Sequence, residues 1–240
     1  MTTLYGWGPM FDSPSPSPFV MKTDIQLQML GVTFDRAIAN LESVAKNKAP
    51  YVEDDGAIIE DSSFIRFHFE RKLGKDLDEG LTQAQRGQAW AVERMLEDRL
   101  NLIMVHERWL DDANFNKGPR MFFMGVPEAA RQQVCDGARN DLKAMMQGHG
   151  IGRHSREERM QLAGRDIAAV AAMLGDQPFL FGSKPTAVDA MAFGELAACG
   201  TRFFATPLVD MIDKHANLRP YLARMQDKYF RAGQWPDMGM

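Results

Sequence analysis

"APYVEDDGAIIEDSSFI", residues 49–65, carries a strand, a turn, a second strand and the start of a helix. Tyr51 and Val52 suit a short strand, and Ile58 and Ile59 suit its return. Asp55-Gly56 between them is the dipeptide favoured where both central turn residues take positive φ. Asp61-Ser62-Ser63 then offers N-caps ahead of the apolar run Phe64, Ile65, Phe67, Phe69. Pro50 opens the first strand, where its missing N–H is tolerated, and it restricts Ala49 to extended geometry. Base rates favour a trans Ala49–Pro50 bond, since only about 5% of X–Pro bonds are cis. A cis bond would turn the Ala49 backbone outward, where an extended peptide can pair with it as an added strand.

Upstream of this stretch, Thr3 to Trp7 reads as a strand stopped by Gly8-Pro9. "SPSPSP", residues 13–18, leads directly into a helical pattern closed by Gly31. "VTFDRAIAN" reads as a second strand, followed by a short helix or loop. Downstream, the polar "GKDLDEG", residues 74–80, marks a boundary. The expected division is therefore an α/β unit over residues 1–75 and an all-helical unit over residues 82–240. Thr82 with Gln85, Ser155 with Glu158, and Thr186 with Asp189 have capping-box spacing. They predict helices from Thr82 to about Asp111, from Ser155 to about Leu174, and through "AMAFGELAACG". Pro127 opens another helix to about Gln147, "NLRPYLARMQDKYF" forms the last, and "DDANFNKGPR" reads as a loop.

The 240 residues carry a net charge of −4 and no long basic run, so a nucleic-acid partner is not expected. Two cysteines, Cys135 and Cys199, cannot form a disulfide scaffold, which favours a reducing, cytoplasmic setting. The N-terminus lacks the pattern of a signal peptide, and no apolar run approaches the ~20 residues of a membrane helix. A membrane partner is therefore not expected either.

Three features carry candidate chemistry. Asp61 and Ser62 at a helix start are explained by capping alone. They also suit an amino-acid zwitterion, with the carboxylate taking the ammonium and the hydroxyl and free N–H groups taking the carboxylate. Ser17-Pro18 is explained as N-cap and first helical residue. The same position suits stabilisation of a thiolate by the Ser17 hydroxyl and the helix N-terminus. Pro50 with Ala49 supplies the third, an edge for an extended peptide. "GHGIGRH", residues 148–154, follows no strand and so does not read as a nucleotide loop. His149 and His154 with Arg153, Arg156 and Arg159 suggest a metal or anion site but are better read as a solvated loop and helix face; His68, His106 and His215 lack ligand spacing, and no metal is expected.

In this order the features resemble the glutathione S-transferase superfamily over nearly the whole chain. "APYVEDDGAIIEDSSFI" is similar to its proline-strand-turn-strand-helix segment. "FLFGSKPTAVDAMAFGEL" is similar to its C-terminal signature, and with "SPSPFVMK" these segments most resemble the failed-axon-connections and metaxin-like branch. The resemblance implies a thioredoxin-like domain, an all-α domain and usually a homodimer. It also implies a cis Pro50, glutathione as co-substrate, Ala49 pairing with its cysteinyl part, and Asp61 and Ser62 on its γ-glutamyl end. Lys48 or Lys46 would reach the glycyl carboxylate. Ser17 stands at the thiol-activating position, with Tyr5 on the first strand as its rival. The implied activity is detoxifying conjugation of the glutathione thiolate to a small apolar electrophile. Trp90, Arg94, Met95, His106, Arg108 and Trp109 are candidates to meet that electrophile. The alternatives are a noncatalytic interaction protein on the same fold and a glutathione-dependent reductase. The reductase is disfavoured because Ser-Pro-Phe-Val-Met stands where cysteine-type members carry cysteine. No C-terminal membrane anchor is visible, so a mitochondrial import role is not expected.

Overall fold

A parallel pair begins the sheet. Thr2–Gly6 (β1) runs beside Phe34–Ile38 (β2), joined through helix α1, Pro18–Leu30. Tyr51–Asp54 (β3) adds antiparallel to the other edge of β1, and Ala57–Glu60 (β4) closes the order β2-β1-β3-β4. The turn between β3 and β4 has φ of 50° at Asp55 and 83° at Gly56, the geometry its dipeptide favours. Helix α2, Ser62–Leu73, follows with Asp61 as its N-cap. This computed structural model describes residues 1–231 and 233–236.

Strand alternation sends Leu4 and Val52 to one face of the sheet, where Val20, Leu27 and Leu30 of α1 and Ile65 and Phe69 of α2 cover them. The opposite side of α1 carries Met21 and Ile25 into a second core, built from the helices that follow. α1 is therefore buried on both sides. Phe64 and Phe67, expected within the apolar run of α2, lie on its outer face at 57% and 39% exposure.

The helical part begins with α3, Gln83–Met95, which continues through a π-helical turn, Leu96–Leu100, into α4, Asn101–Trp109. The capping boxes at Thr82 and Ser155 form as spaced. "DDANFNKGPR" is not a plain loop. It contains α5, Asp112–Lys117, because the Asp111 carboxylate caps the Asn114 N–H. Helix α6, Glu128–His149, leads to α7, Arg156–Leu174, and to the core helix α8, Ala187–Gly200. Helix α9, Pro207–Asp213, was not expected, although Thr206-Pro207 is a sound N-cap and first residue. Helix α10, Leu218–Tyr229, completes the order.

At α8, the buried Asp189 carboxylate accepts from the Thr186 N–H and hydroxyl, the Leu180 N–H and the Tyr221 hydroxyl. The segment between the two parts is also anchored. Asp78 accepts from Arg66 at 2.6 Å and from the Ala187 N–H at 3.1 Å. Among the described residues no helix is long and apolar enough to cross a membrane, and no group of three His, Cys, Asp or Glu could hold a metal.

Candidate functional site

The N-terminus of α1 is fixed from several sides. The Ser17 N–H donates to Ser15 Oγ, and Ser17 Oγ accepts from the Val20 N–H at 3.4 Å. Accepting that bond uses a lone pair of the hydroxyl and leaves its proton available, so capping and donation to a thiolate are compatible. Pro18 has no N–H, and the cap takes that of Val20. The Phe19 N–H is left as the donor projecting from the first turn. No acidic side chain stands in that turn to compete with an incoming anion.

Ser17 borders a cavity of about 500 Å³. Across from it lies one face of α4, formed by Asn101, Met104, Val105, Arg108 and Trp109 at helical spacing. The π-helical turn precedes this face and sets its phase relative to α3. Trp7, Phe122 and Phe123 complete an aromatic wall, with the Trp109 and Phe122 rings stacked at 6.2 Å and 11°. Arg108 donates from Nη1 to the Pro16 carbonyl at 3.2 Å and from Nη2 to the Ala198 carbonyl at 2.5 Å. Its guanidinium also lies 4.7 Å from the Phe204 ring centre. Burial pulls its pKa down to about 10.

The second half of the site is the start of α2. Asp61 sits at φ 82°, an uncommon conformation for a residue with a side chain, and its Oδ1 accepts from the Ser63 N–H at 2.9 Å. The buried Ser62 hydroxyl accepts from Lys22 Nζ at 3.2 Å. Ser62 is thus already tied to α1, whereas the sequence left it open to a ligand. Lys22 lies five residues after Ser17, roughly 7 Å along the helix axis at 1.5 Å per residue. The Asp61-Ser62 turn and the capped end of α1 therefore share one neighbourhood.

Lys22 was missed from the sequence. It is fully buried, 2.6 Å from Glu93 and 2.7 Å from Glu97 on α3 and the π-helical turn. A lone lysine beside Met21 and Ile25 on a core-facing surface was the available signal. Two carboxylates at i, i+4 were its unread complement.

The Ala49–Pro50 bond is cis. Lys46 is engaged, its N–H on the Glu60 carboxylate at 2.6 Å and its Nζ 4.8 Å from the Phe64 ring. Lys48 is exposed and makes no ion pair among the described residues.

Tyr5 requires correction as a rival to Ser17. It pairs with Tyr51 across the sheet, the rings stacked at 4.6 Å, on the face opposite Leu4 and hence opposite α1. Its hydroxyl donates to Glu53 at 3.2 Å. Burial, then that bond, pushes its phenol pKa up. Among the helical candidates, Arg108 and Trp109 reach the cavity. Trp90 is half exposed with Arg94 stacked on it, and His106 lines a different cleft with Arg139 and Lys143.

Comparison with known proteins adds the following. The glutathione S-transferase N-terminal domain matches residues 18–114, and the glutathione S-transferase C-terminal domain matches residues 163–225. An isoprene-epoxide–glutathione S-transferase from Rhodococcus sp. is 29% identical over 95% of this chain and 99% of its own. Failed axon connections from Drosophila melanogaster is 31% identical over 90% of this chain, which spans 55% of that protein. Human Metaxin-2 is 22% identical over 80% of this chain and 74% of its own. Among solved structures, an apo glutathione S-transferase III superposes with a TM-score of 0.60 at 15% identity over 98% of each chain. A Methylobacterium radiotolerans glutathione S-transferase in complex with glutathione sulfonate gives 0.59 at 18% identity, also over 98% of each.

Proposed function

Because this chain belongs to the glutathione S-transferase superfamily, we propose that it is a glutathione transferase that adds the glutathione thiolate to a small apolar electrophile. One observation carries the reading: Ser17, capping α1, borders the same aromatic cavity that would hold the electrophile. Asp61 accepts the γ-glutamyl ammonium, while Ser62 and the start of α2 receive its carboxylate. The Ala49 backbone pairs with the cysteinyl residue, and Lys48 meets the glycyl carboxylate. The thiol then lies at the N-terminus of α1, where the Ser17 hydroxyl and the Phe19 N–H favour its ionised form. Its proton leaves to solvent, and the sulfur attacks the electrophile held against Trp109 and Phe122. The Rhodococcus relative, nearly equal in length and named for an epoxide transferase, supports this activity.

The test is calorimetric. The parent protein is expected to bind glutathione, and Asp61→Ala should weaken binding about tenfold or more, since a charge-assisted bond contributes ~1.5–3 kcal/mol. No binding at millimolar glutathione would favour the noncatalytic alternative, which similarity to Failed axon connections and Metaxin-2 supports. The proposal extends to a homodimer. Phe64 and Phe67, edge to face at 6.2 Å, form an exposed apolar patch on α2 that a second copy would cover. Two buried, unpaired cysteines suit a cytoplasmic setting.

A further inference from the structure

Beyond α10 the chain returns to the sheet. The Tyr229 carbonyl accepts from the Gln28 side-chain amide of α1 at 3.0 Å, and the Phe230 ring stacks on Phe193 of α8 at 5.5 Å and 21°. Trp235 then joins the core beneath the sheet with Leu4, Val20 and Leu27, and is 9% exposed. Its indole lies along the end of β1. A methyl group on Gly8 would lie 2.7 Å from Trp235 Cβ, and one on Gly6 would lie 3.0 Å from Cη2 at the far end of the ring. The indole therefore spans both glycines. Neither has a positive φ, so close approach is what their missing side chains permit. The indole N–H is buried without a hydrogen-bond partner among the described residues. An unmet donor costs free energy, so phenylalanine would fill this space at less cost. What tryptophan adds is the second ring, which carries the contact with Gly6. Trp7 stands between the two glycines, and its ring borders the cavity beside Ser17 and meets Phe122 at 5.9 Å and 51°. Phe11 borders that cavity and also the groove of about 490 Å³ that Gln234 and Trp235 line.

We infer that Trp235 is a positioning residue for the apolar cavity: it braces the backbone of Gly6 and Gly8, and so holds Trp7 as a fixed wall against the electrophile. The inference rests on the transferase reading for the occupant of that cavity. Trp235 is not among the described residues lining the cavity, so its effect passes through the strand. Close-packed interiors transmit displacement, and a void on one side of a strand shifts what stands on the other. Removing the indole leaves such a void against Gly6 and Gly8, into which the end of β1 relaxes, drawing Trp7 away from Phe122. The residues assigned to glutathione, Lys48, Ala49, Asp61 and Ser62, lie on other elements. The brace therefore acts on electrophile binding and spares glutathione affinity.

The experiment compares parent, Trp235→Ala, Trp235→Phe and Gly8→Ala in binding glutathione and S-hexylglutathione by calorimetry, with folding followed by urea denaturation. The ratio of the two affinities reads the cavity, because the hexyl chain occupies it and the tripeptide is common to both. In Trp235→Ala, glutathione should bind within about threefold of the parent, while preference for the hexyl ligand falls about tenfold, the worth of roughly two of its methylene groups. Turnover of 1-chloro-2,4-dinitrobenzene should show a higher KM for that substrate at nearly unchanged kcat, as lost binding rather than lost chemistry requires. Trp235→Phe keeps the contact with Gly8 and loses that with Gly6, so its ratio should fall between while its urea midpoint stays near the parent's. Gly8→Ala pushes the indole from the strand side and should lower the preference as well. A ratio that does not move in folded Trp235→Ala, whether both affinities hold or fall together, overturns the inference and leaves the transferase reading standing. If Trp235→Ala does not fold, Trp235→Phe and Gly8→Ala decide, and an unmoved ratio in both overturns it. A parent that binds no glutathione ends the transferase reading alone. The brace is then read by fluorescence of 1-anilinonaphthalene-8-sulfonate, whose affinity should fall in Trp235→Ala and whose unchanged affinity overturns the inference.

Discussion

Gly194 in α8 faces the first turn of α1 so closely that a methyl group there would lie 2.5 Å from the Pro18 carbonyl oxygen and 3.2 Å from its carbonyl carbon. Ordinary contact begins near 3.4 Å, so Gly194→Ala must separate the two helices by close to 1 Å. Both obstacles are backbone atoms, and no rotamer change relieves them. Replacing an interior helical glycine by alanine ordinarily gains up to about 1 kcal/mol through propensity. Overpacking costs typically 1–3 kcal/mol, and a rigid neighbour pushes toward the upper end or beyond. The expected net effect is therefore a loss of about 2 kcal/mol. Urea denaturation reads it as a lower midpoint with an unchanged slope. Gly137 on exposed α6 serves as the control, because nothing lies within 4 Å of the equivalent methyl position. Gly137→Ala should follow propensity and stabilise. Since Pro18 follows the cap at Ser17, the displacement should also weaken glutathione turnover in Gly194→Ala. A Gly194→Ala variant as stable as the parent would refute the close-contact argument.

Two further outcomes are expected. Ser17→Ala should lower stability by about 1 kcal/mol through the lost cap and raise the pKa of bound glutathione, followed by thiolate absorbance against pH. If that pKa does not move, the backbone N–H groups of α1 are the source of stabilisation; Tyr5→Phe, on the far face of the sheet, should leave it unchanged. Replacing Phe64 and Phe67 together with serine should shift sedimentation from dimer to monomer, and a monomeric parent would end the proposed interface.

The hairpin was legible because its signals are local. Asp55-Gly56 names its own turn, and each capping box lies within four residues. Sidedness was harder. Ile65 and Phe69 point inward while Phe64 and Phe67, interleaved with them, point outward. Their apolar character alone does not say which face meets the sheet. The parity of β1 was readable in principle, since Leu4 facing the core puts the adjacent Tyr5 on the other side. The pairing of Lys22 was not, because the carboxylates that neutralise it lie 71 and 75 positions downstream, so its place on a core-facing surface could flag it without naming its partners. Likewise, that Arg108 and Trp109 reach the cavity while Trp90 does not depends on the phase of α4 after the π-helical turn. Short α5 and α9 offer too few turns for periodicity to register.

A helix covered on both sides changes what the chain boundary near residue 75 means. The sequence pattern suggests a division there, but the packing does not follow it, because α1 lends Val20 and Leu27 to the sheet and Met21 and Ile25 to the helices. Excising the first 75 residues would strand a greasy stripe in water and leave Lys22 without its counter-ions. The helical remainder would keep Glu93 and Glu97 around an empty slot, with Arg94 as their remaining partner. Neither fragment inherits a finished interior, so the two halves are expected to melt as one cooperative unit. Recombination that swapped one half for a distant relative's would have to carry a matching α1 surface with it.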